Sequence, residues 1–206
     1  MRSLVYTLVE KSKFKSPFVI GISGIDGSGK GYIAKKLAQG ITNAGRKCEL
    51  IGIDGWIQPP AQRFSSSNPG EYFYRNGFRF AEMHENLFQP LTQTGSIDLW
   101  AKHSAPDNSS DMLDFHYQID RGEVLIFEGI FLFQGRFEFD YQIWIECSYE
   151  TALKRALQRN QEGLPEADIL RDYNQIYFPA QRIHLATDKP RQSCDYLLLN
   201  DESLEA

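Results

Sequence analysis

The run Pro17-Phe-Val-Ile-Gly-Ile-Ser-Gly-Ile-Asp-Gly-Ser-Gly-Lys30 decides the fold. From Pro17 to Ser23 it is almost continuously apolar, the pattern of a strand buried on both faces as parallel sheets require. From Gly24 to Lys30 it matches G-x-x-x-x-G-K, and the apolar positions Ile33, Leu37, Ala38 and Ile41 then recur at helical spacing until Gly45 closes a predicted helix over 30–44. A strand, a glycine-rich turn and a helix in that order wrap backbone N–H groups and a helix N-terminus around an anion. The candidate nucleotide-binding residues are therefore Gly24, Asp26, Gly27, Ser28, Gly29, Lys30, Gly31 and Tyr32, with Lys30 reaching the outer phosphates.

Outward from this unit the same alternation continues. Residues 48–54 read as a second strand ending in Asp54, and a crossover of that length makes it parallel to the first. Residues 58–77 mix Pro, Ser, Asn and Gly with aromatics and predict a long ordered loop that carries function. Residues 80–91 look helical, 96–100 and 113–119 predict short strands, and 122–127 predict a buried strand ending at Glu128. Further strands are expected at 141–146 and 195–199, with helices at 149–160 and from 166 to about 186. The expectation is a single α/β domain, 1–206, with a mostly parallel sheet, helices on both faces and a lid-like insertion around 155–165.

Composition narrows the function classes. The 206 residues carry 22 Lys plus Arg against 27 Asp plus Glu, so a net charge of -5 argues against nucleic-acid or anionic-membrane partners. No apolar run is long enough to span a bilayer. The first ten residues do not read as a signal peptide, and three widely separated cysteines, Cys48, Cys147 and Cys194, fit buried reduced thiols, so a cytoplasmic protein is expected. A homo-oligomer is compatible with these features.

Several residues carry candidate chemistry. The position after Lys30 is Gly31, where the pattern asks for a Ser or Thr hydroxyl on Mg²⁺, so metal would be held through water and carboxylates. Asp54 and Glu128 both end strands where ligands bind in open α/β sheets; such acids can orient Mg²⁺, accept a proton from an attacking hydroxyl, or simply cap a following turn. Arg155 and Arg159 are four apart on one helical face, able to close over a triphosphate or to stand solvated. In and near the loop after Asp54, Tyr72, Tyr74, Arg75 and Arg79 offer stacking surface and cations to an acceptor, with His103 and His116 beyond. His84 and His184 are expected on helix surfaces.

Together these residues resemble the uridine kinase, phosphoribulokinase and bacterial pantothenate kinase group, over roughly 18–199. The resemblance rests on the stretch ending Gly-Ser-Gly-Lys30, on Asp54, on Phe127-Glu-Gly-Ile-Phe131, on the Arg155 and Arg159 helix and on Tyr177-Phe-Pro-Ala180. It implies a P-loop NTPase-type three-layer domain and an ATP- and Mg²⁺-dependent phosphotransferase acting on a small-molecule hydroxyl acceptor. In it Asp54 would be the general base and Glu128 a metal-associated acid. Lys30 would be the phosphate lysine, and Arg155 with Arg159 part of a lid. The catalytic set implied is thus Asp54, Lys30, Arg155 and Arg159 and the metal set Glu128 and Asp54, while the residues in and beyond the loop after Asp54 give an acceptor set of Asp54, Tyr72, Arg79 and His103. Leu99-Trp-Ala-Lys-His-Ser104 departs from the uridine-kinase pattern, so uridine is not implied over a sugar or pantothenate-like acceptor. Two rival readings stand beside it: a nucleoside monophosphate kinase, suggested by Gly31, and a non-catalytic nucleotide-binding regulator.

Overall fold

The computed structural model describes residues 1–65, 67–105, 109–160 and 163–201. Its centre is β1 (Phe18–Gly24), buried along its whole length. The run of apolar residues requires neighbours on both sides and cover on both faces, and it has them. β1 pairs in parallel with β5 (Val124–Glu128) and β6 (Tyr141–Glu146), β2 (Cys48–Gly52) adds to β5, and β7 (Tyr196–Leu199) adds to β6. The sheet order is β2-β5-β1-β6-β7.

Helices cover both faces. On one, α2 (Lys30–Asn43) presents Ile33, Ala34, Leu37 and Ile41 to the sheet. α1 (Arg2–Ser12), an element the sequence reading did not anticipate, buries Leu4, Leu8 and Val9 in the same layer. Gly40 of α2 lacks the Cβ that would press on Val5 of α1.

The other face is covered by the segments after β2. The predicted loop at 58–77 is instead largely helical: α3 (Pro60–Arg63) and α4 (Pro69–Asn76) each begin at a proline, whose fixed φ suits a first helical turn. α5 (Phe80–Met83), a π-helical turn (His84–Phe88) and α6 (Gln89–Thr94) follow without a break. β3 (Ile97–Ser104) and β4 (Met112–Ile119) pair only with each other, as an antiparallel hairpin outside the main sheet. α7 (Tyr149–Arg159) starts at Ser148, whose hydroxyl accepts from the Thr151 N–H as an N-cap. The long predicted helix is present as α8 (Glu166–Asp172), a π-helical turn (Tyr173–Tyr177) and α9 (Phe178–Thr187), after which α10 (Pro190–Ser193) leads to β7.

His184 corrects the surface expectation. It is 2% exposed, packed against Phe131 and Trp144, with Nδ1 2.6 Å from Asp188. It lies on the face of α9 turned to the sheet, a rotation the weakly patterned sequence of that helix does not announce.

Candidate active site

The glycine-rich turn joins the C-terminal end of β1 to the N-terminus of α2. Gly27 and Gly29 have φ of 76° and 83°, the left-handed region, and each also faces a close neighbour: Ala152 of α7 and Asn200 after β7. At Gly27 the neighbour is backbone, so glycine is needed there on two counts, while at Gly29 the neighbour is the end of a flexible side chain and φ alone demands glycine. The Asn200 amide donates to the Ser28 carbonyl at 2.7 Å. Arg155 donates to the same carbonyl at 3.3 Å and to the Asn200 carbonyl at 3.0 Å. Arg155 thus braces the loop from below while still lining the cavity, rather than standing free on a lid. The lid-like insertion expected at 155–165 runs through 161 and 162, which lie outside the described residues.

Asp26, inside the loop, stands between two cations: Lys30 Nζ at 3.9 Å and Arg159 Nη2 at 3.8 Å. The Tyr173 hydroxyl, from the π turn, donates to the same carboxylate. Burial pushes the Asp26 carboxyl up, but Lys30, Tyr173 and Arg159 outweigh it and hold the group below the usual carboxylate range.

The two strand-end acids are brought together by backbone registry. Gly52 of β2 lies opposite Glu128 of β5, and the Ile53 N–H donates to the Glu128 carbonyl at 3.0 Å. A Cβ at Gly129 would overlap the Ile53 side chain, so glycine there lets the Asp54 turn (Asp54–Trp56, 3-10) close on the end of β5. Burial raises the Glu128 pKa; Lys30 opposes this and the Asp54 charge adds to it. A Cβ at Gly31 would lie 3.6 Å from Glu128 Oε1, so this carboxylate stands beside the position where the motif expects a hydroxyl.

Both acids, the loop and both arginines open onto one cavity of about 750 Å³. Its far wall is largely apolar, with Ile57, Phe73, Phe78, Ile130, Leu113, Phe115 and Tyr177, and its polar members are Arg63, His103, Ser104 and Asp114. His103 lines the cavity; burial, then the charge of Arg79, pushes its pKa down to about 4.

Two of the residues expected to bind the acceptor lie outside this cavity. Tyr72 is 36% exposed and outside the cavity, because α4 turns Phe73, its neighbour, inward at 1% exposure. Arg79 is also outside: it donates to both Glu82 oxygens at 2.9 Å and to the Gly55 and Lys102 carbonyls, and lies over the Trp56 ring. It fastens the turn after Asp54 to the hairpin. Tyr32 lines the mouth at 61% exposure, under the Lys36 ammonium. Sequence reasoning missed Arg63 and Phe73, whose helices read as loop, and Phe115, which alternation in a predicted strand could have flagged.

Among the described residues no group of three or more His, Cys, Asp or Glu is gathered to hold a metal. Asp54 and Glu128 nevertheless suit a divalent cation: a buried acid whose pKa is lifted partly by a neighbouring carboxylate gains from positive charge between them, and Mg²⁺ completes its shell with phosphate oxygens and water.

No model of a known protein family matches the chain. The fold is that of the P-loop kinases. A structure from Bacillus stearothermophilus described as a possible uridine kinase superposes with a TM-score of 0.73 over 96% of this chain and 98% of that one, at 19% identity. Among curated relatives, uridine-cytidine kinase B of Dictyostelium discoideum is 23% identical over 179 residues, 82% of this chain and 70% of its own. A pantothenate kinase of Rhizobium leguminosarum bv. trifolii is 34% identical over 134 residues, 59% of this chain and 37% of its own length. These relatives, both named as kinases, differ in the acceptors their names specify. Among the described residues no helix is long and apolar enough to cross a membrane.

Proposed function

We propose that the protein is a single-domain, ATP-dependent kinase that transfers the γ-phosphoryl group to a hydroxyl of a small molecule of the nucleoside, sugar or pantothenate-like class. One observation carries the reading: a glycine-rich phosphate cradle and two strand-end carboxylates open onto one cavity large enough for both substrates. Pure binding needs the cradle but no base. The names of the relatives support the same reaction class.

In this reading the loop N–H groups and Lys30 bind the β- and γ-phosphates, and Arg159, released from Asp26, follows the transferring charge. Asp54 accepts the proton of the attacking hydroxyl as its oxygen bonds to the γ-phosphorus and the bond to the bridging oxygen breaks, leaving ADP. Magnesium, when bound, supplies charge neutralisation on the phosphate oxygens; Glu128 and Asp54 would hold it through water. The apolar wall around Phe73, Phe115 and Tyr177 excludes water from the acceptor, which limits hydrolysis. A nucleotide-depletion assay across nucleosides, nucleoside monophosphates, sugars and pantothenate, with ATP and GTP, tests the proposal. Depletion with one class of hydroxyl acceptor is expected; no depletion with any acceptor would favour the non-catalytic regulator.

A further inference from the structure

Trp56, Tyr117 and His103 form a hydrogen-bonded row whose polarity is dictated by its members. Trp56, fully buried in the turn after Asp54, has a single polar side-chain atom, Nε1, which can only donate. It donates to the Tyr117 hydroxyl oxygen at 2.9 Å. The same oxygen lies 2.8 Å from His103 Nε2. Tyr117 is 7% exposed, and burial pushes its phenol up to about 12, so it keeps its proton. A buried O–H needs an acceptor, and Trp56 cannot be one. Nε2 of His103 is the acceptor within reach, so it must be bare. With a pKa near 4 the ring is neutral at pH 7, and its one proton then sits on Nδ1.

The ring is held by its faces as well. Phe115 stacks on one at 4.3 Å and 9°. Gly55 covers the other: a Cβ there would fall on the ring, against Nδ1, Cγ and Cε1 together. With Nε2 engaged and both faces covered, the in-plane edge at Nδ1 remains, and it makes no hydrogen bond among the described residues. His103, Gly55 and Asp54 line the same cavity.

We propose that the Trp56, Tyr117 and His103 row locks His103 as an Nδ1–H donor toward the acceptor substrate, with Tyr117 and Trp56 as positioning residues. The group recognised there is a hydrogen-bond-accepting atom, such as a carbonyl or carboxylate oxygen, and not an N–H. Asp54 can only accept when ionised, so the acceptor is asked for two opposite features side by side: a hydroxyl proton for Asp54 and a lone pair for His103. This specificity rests on the kinase reading; the tautomer does not.

The test is a two-bond ¹H–¹⁵N correlation spectrum of the imidazoles at pH 7, with His103 assigned by its loss in His103→Gln. Expected is a protonated Nδ1 and a bare Nε2; the opposite pattern overturns the proposal. Tyr117→Phe should move His103 toward the Nε2–H form, and an unchanged spectrum would remove the positioning role. With the compound that the parent enzyme phosphorylates, Tyr117→Phe should raise the acceptor KM roughly 2- to 10-fold, the worth of one hydrogen bond, and leave the ATP KM alone. An unchanged acceptor KM sinks the donor assignment. Should Tyr117→Phe not fold, the parent spectrum still decides the tautomer. Should the parent phosphorylate nothing, the kinase reading and the substrate assignment fall while the same spectrum decides the lock.

Discussion

Gly31→Ser is the substitution whose outcome the geometry fixes most closely. Gly31 is not among the glycines with positive φ, so a side chain meets no backbone strain there. The nearest atoms to a Cβ would be the Glu128 carboxylate oxygens at 3.6 and 3.7 Å and its carbon at 3.8 Å, ordinary contacts that nothing has to yield. Replacing glycine at a compatible position stabilises by about 0.4–1 kcal/mol through the unfolded chain. At roughly 2–4 °C per kcal/mol for a chain of this size, Tm should rise by about 1–4 °C. One bond beyond the Cβ, the hydroxyl can reach the Glu128 carboxylate at a hydrogen-bond distance of about 2.7 Å, relieving an acid that burial has lifted. The same hydroxyl offers a direct ligand to Mg²⁺. Thermal melts with and without Mg²⁺, and calorimetry of ATP binding across a Mg²⁺ titration, should show higher Tm and a tighter metal requirement. A lower Tm would mean that the space beside Glu128 is not open. An unaltered metal requirement in a stable, ATP-binding variant would place the metal away from Gly31.

Asp54→Asn should keep ATP binding and lose about 10²- to 10⁴-fold in turnover, since the amide keeps the shape but takes no proton; kcat equal to the parent's would make Asp54 structural. Gly55→Ala should cost about 1–3 kcal/mol, because the new methyl occupies the His103 ring position, and a denaturation midpoint matching the parent's would contradict the packing of ring on glycine. Burial holds both His103 and His184 below the ordinary histidine value, so the unfolded chain binds protons that the native state resists, and stability is lost as pH falls from about 6.5. For His103 the window reaches down to about 4, and His103→Gln should flatten the fall of the urea midpoint across it; a curve parallel to the parent's would show that His103 titrates normally.

The strand, loop and helix around Gly24 to Lys30 were legible because every constraint on them is local: apolar continuity, glycine at tight φ, a helical stripe. Asp54 and Glu128 could be placed at one site because strand ends of a parallel sheet share an edge. What stayed hidden depended on rotation about an axis that sequence sets weakly. Whether Tyr72 or Phe73 faces the cavity turns on the roll of α4, which Gly70 fixes by packing against Pro179 of α9. Arg79 reads as a substrate cation until its carbonyl partners from Gly55 and Lys102, distant in sequence, are known. α1 was passed over because Leu4, Leu8 and Val9 are too few to show a stripe until α2 supplies the opposite surface.

The place of β1 in the sheet has a consequence for the order in which the protein is made. Its partners are remote: Phe18 pairs with Val124 and Ile20 with Tyr141. The entropy of closing such loops is spent before any of those contacts repays it, which makes this centre slow to assemble. On the ribosome the glycine-rich turn emerges before both of the strands that flank β1 and hold its end in place, which exist only once Glu146 has been synthesised. Until then Gly24 to Lys30 has no sheet behind it, and a nucleotide can assist the nascent chain only after Glu146 has been added.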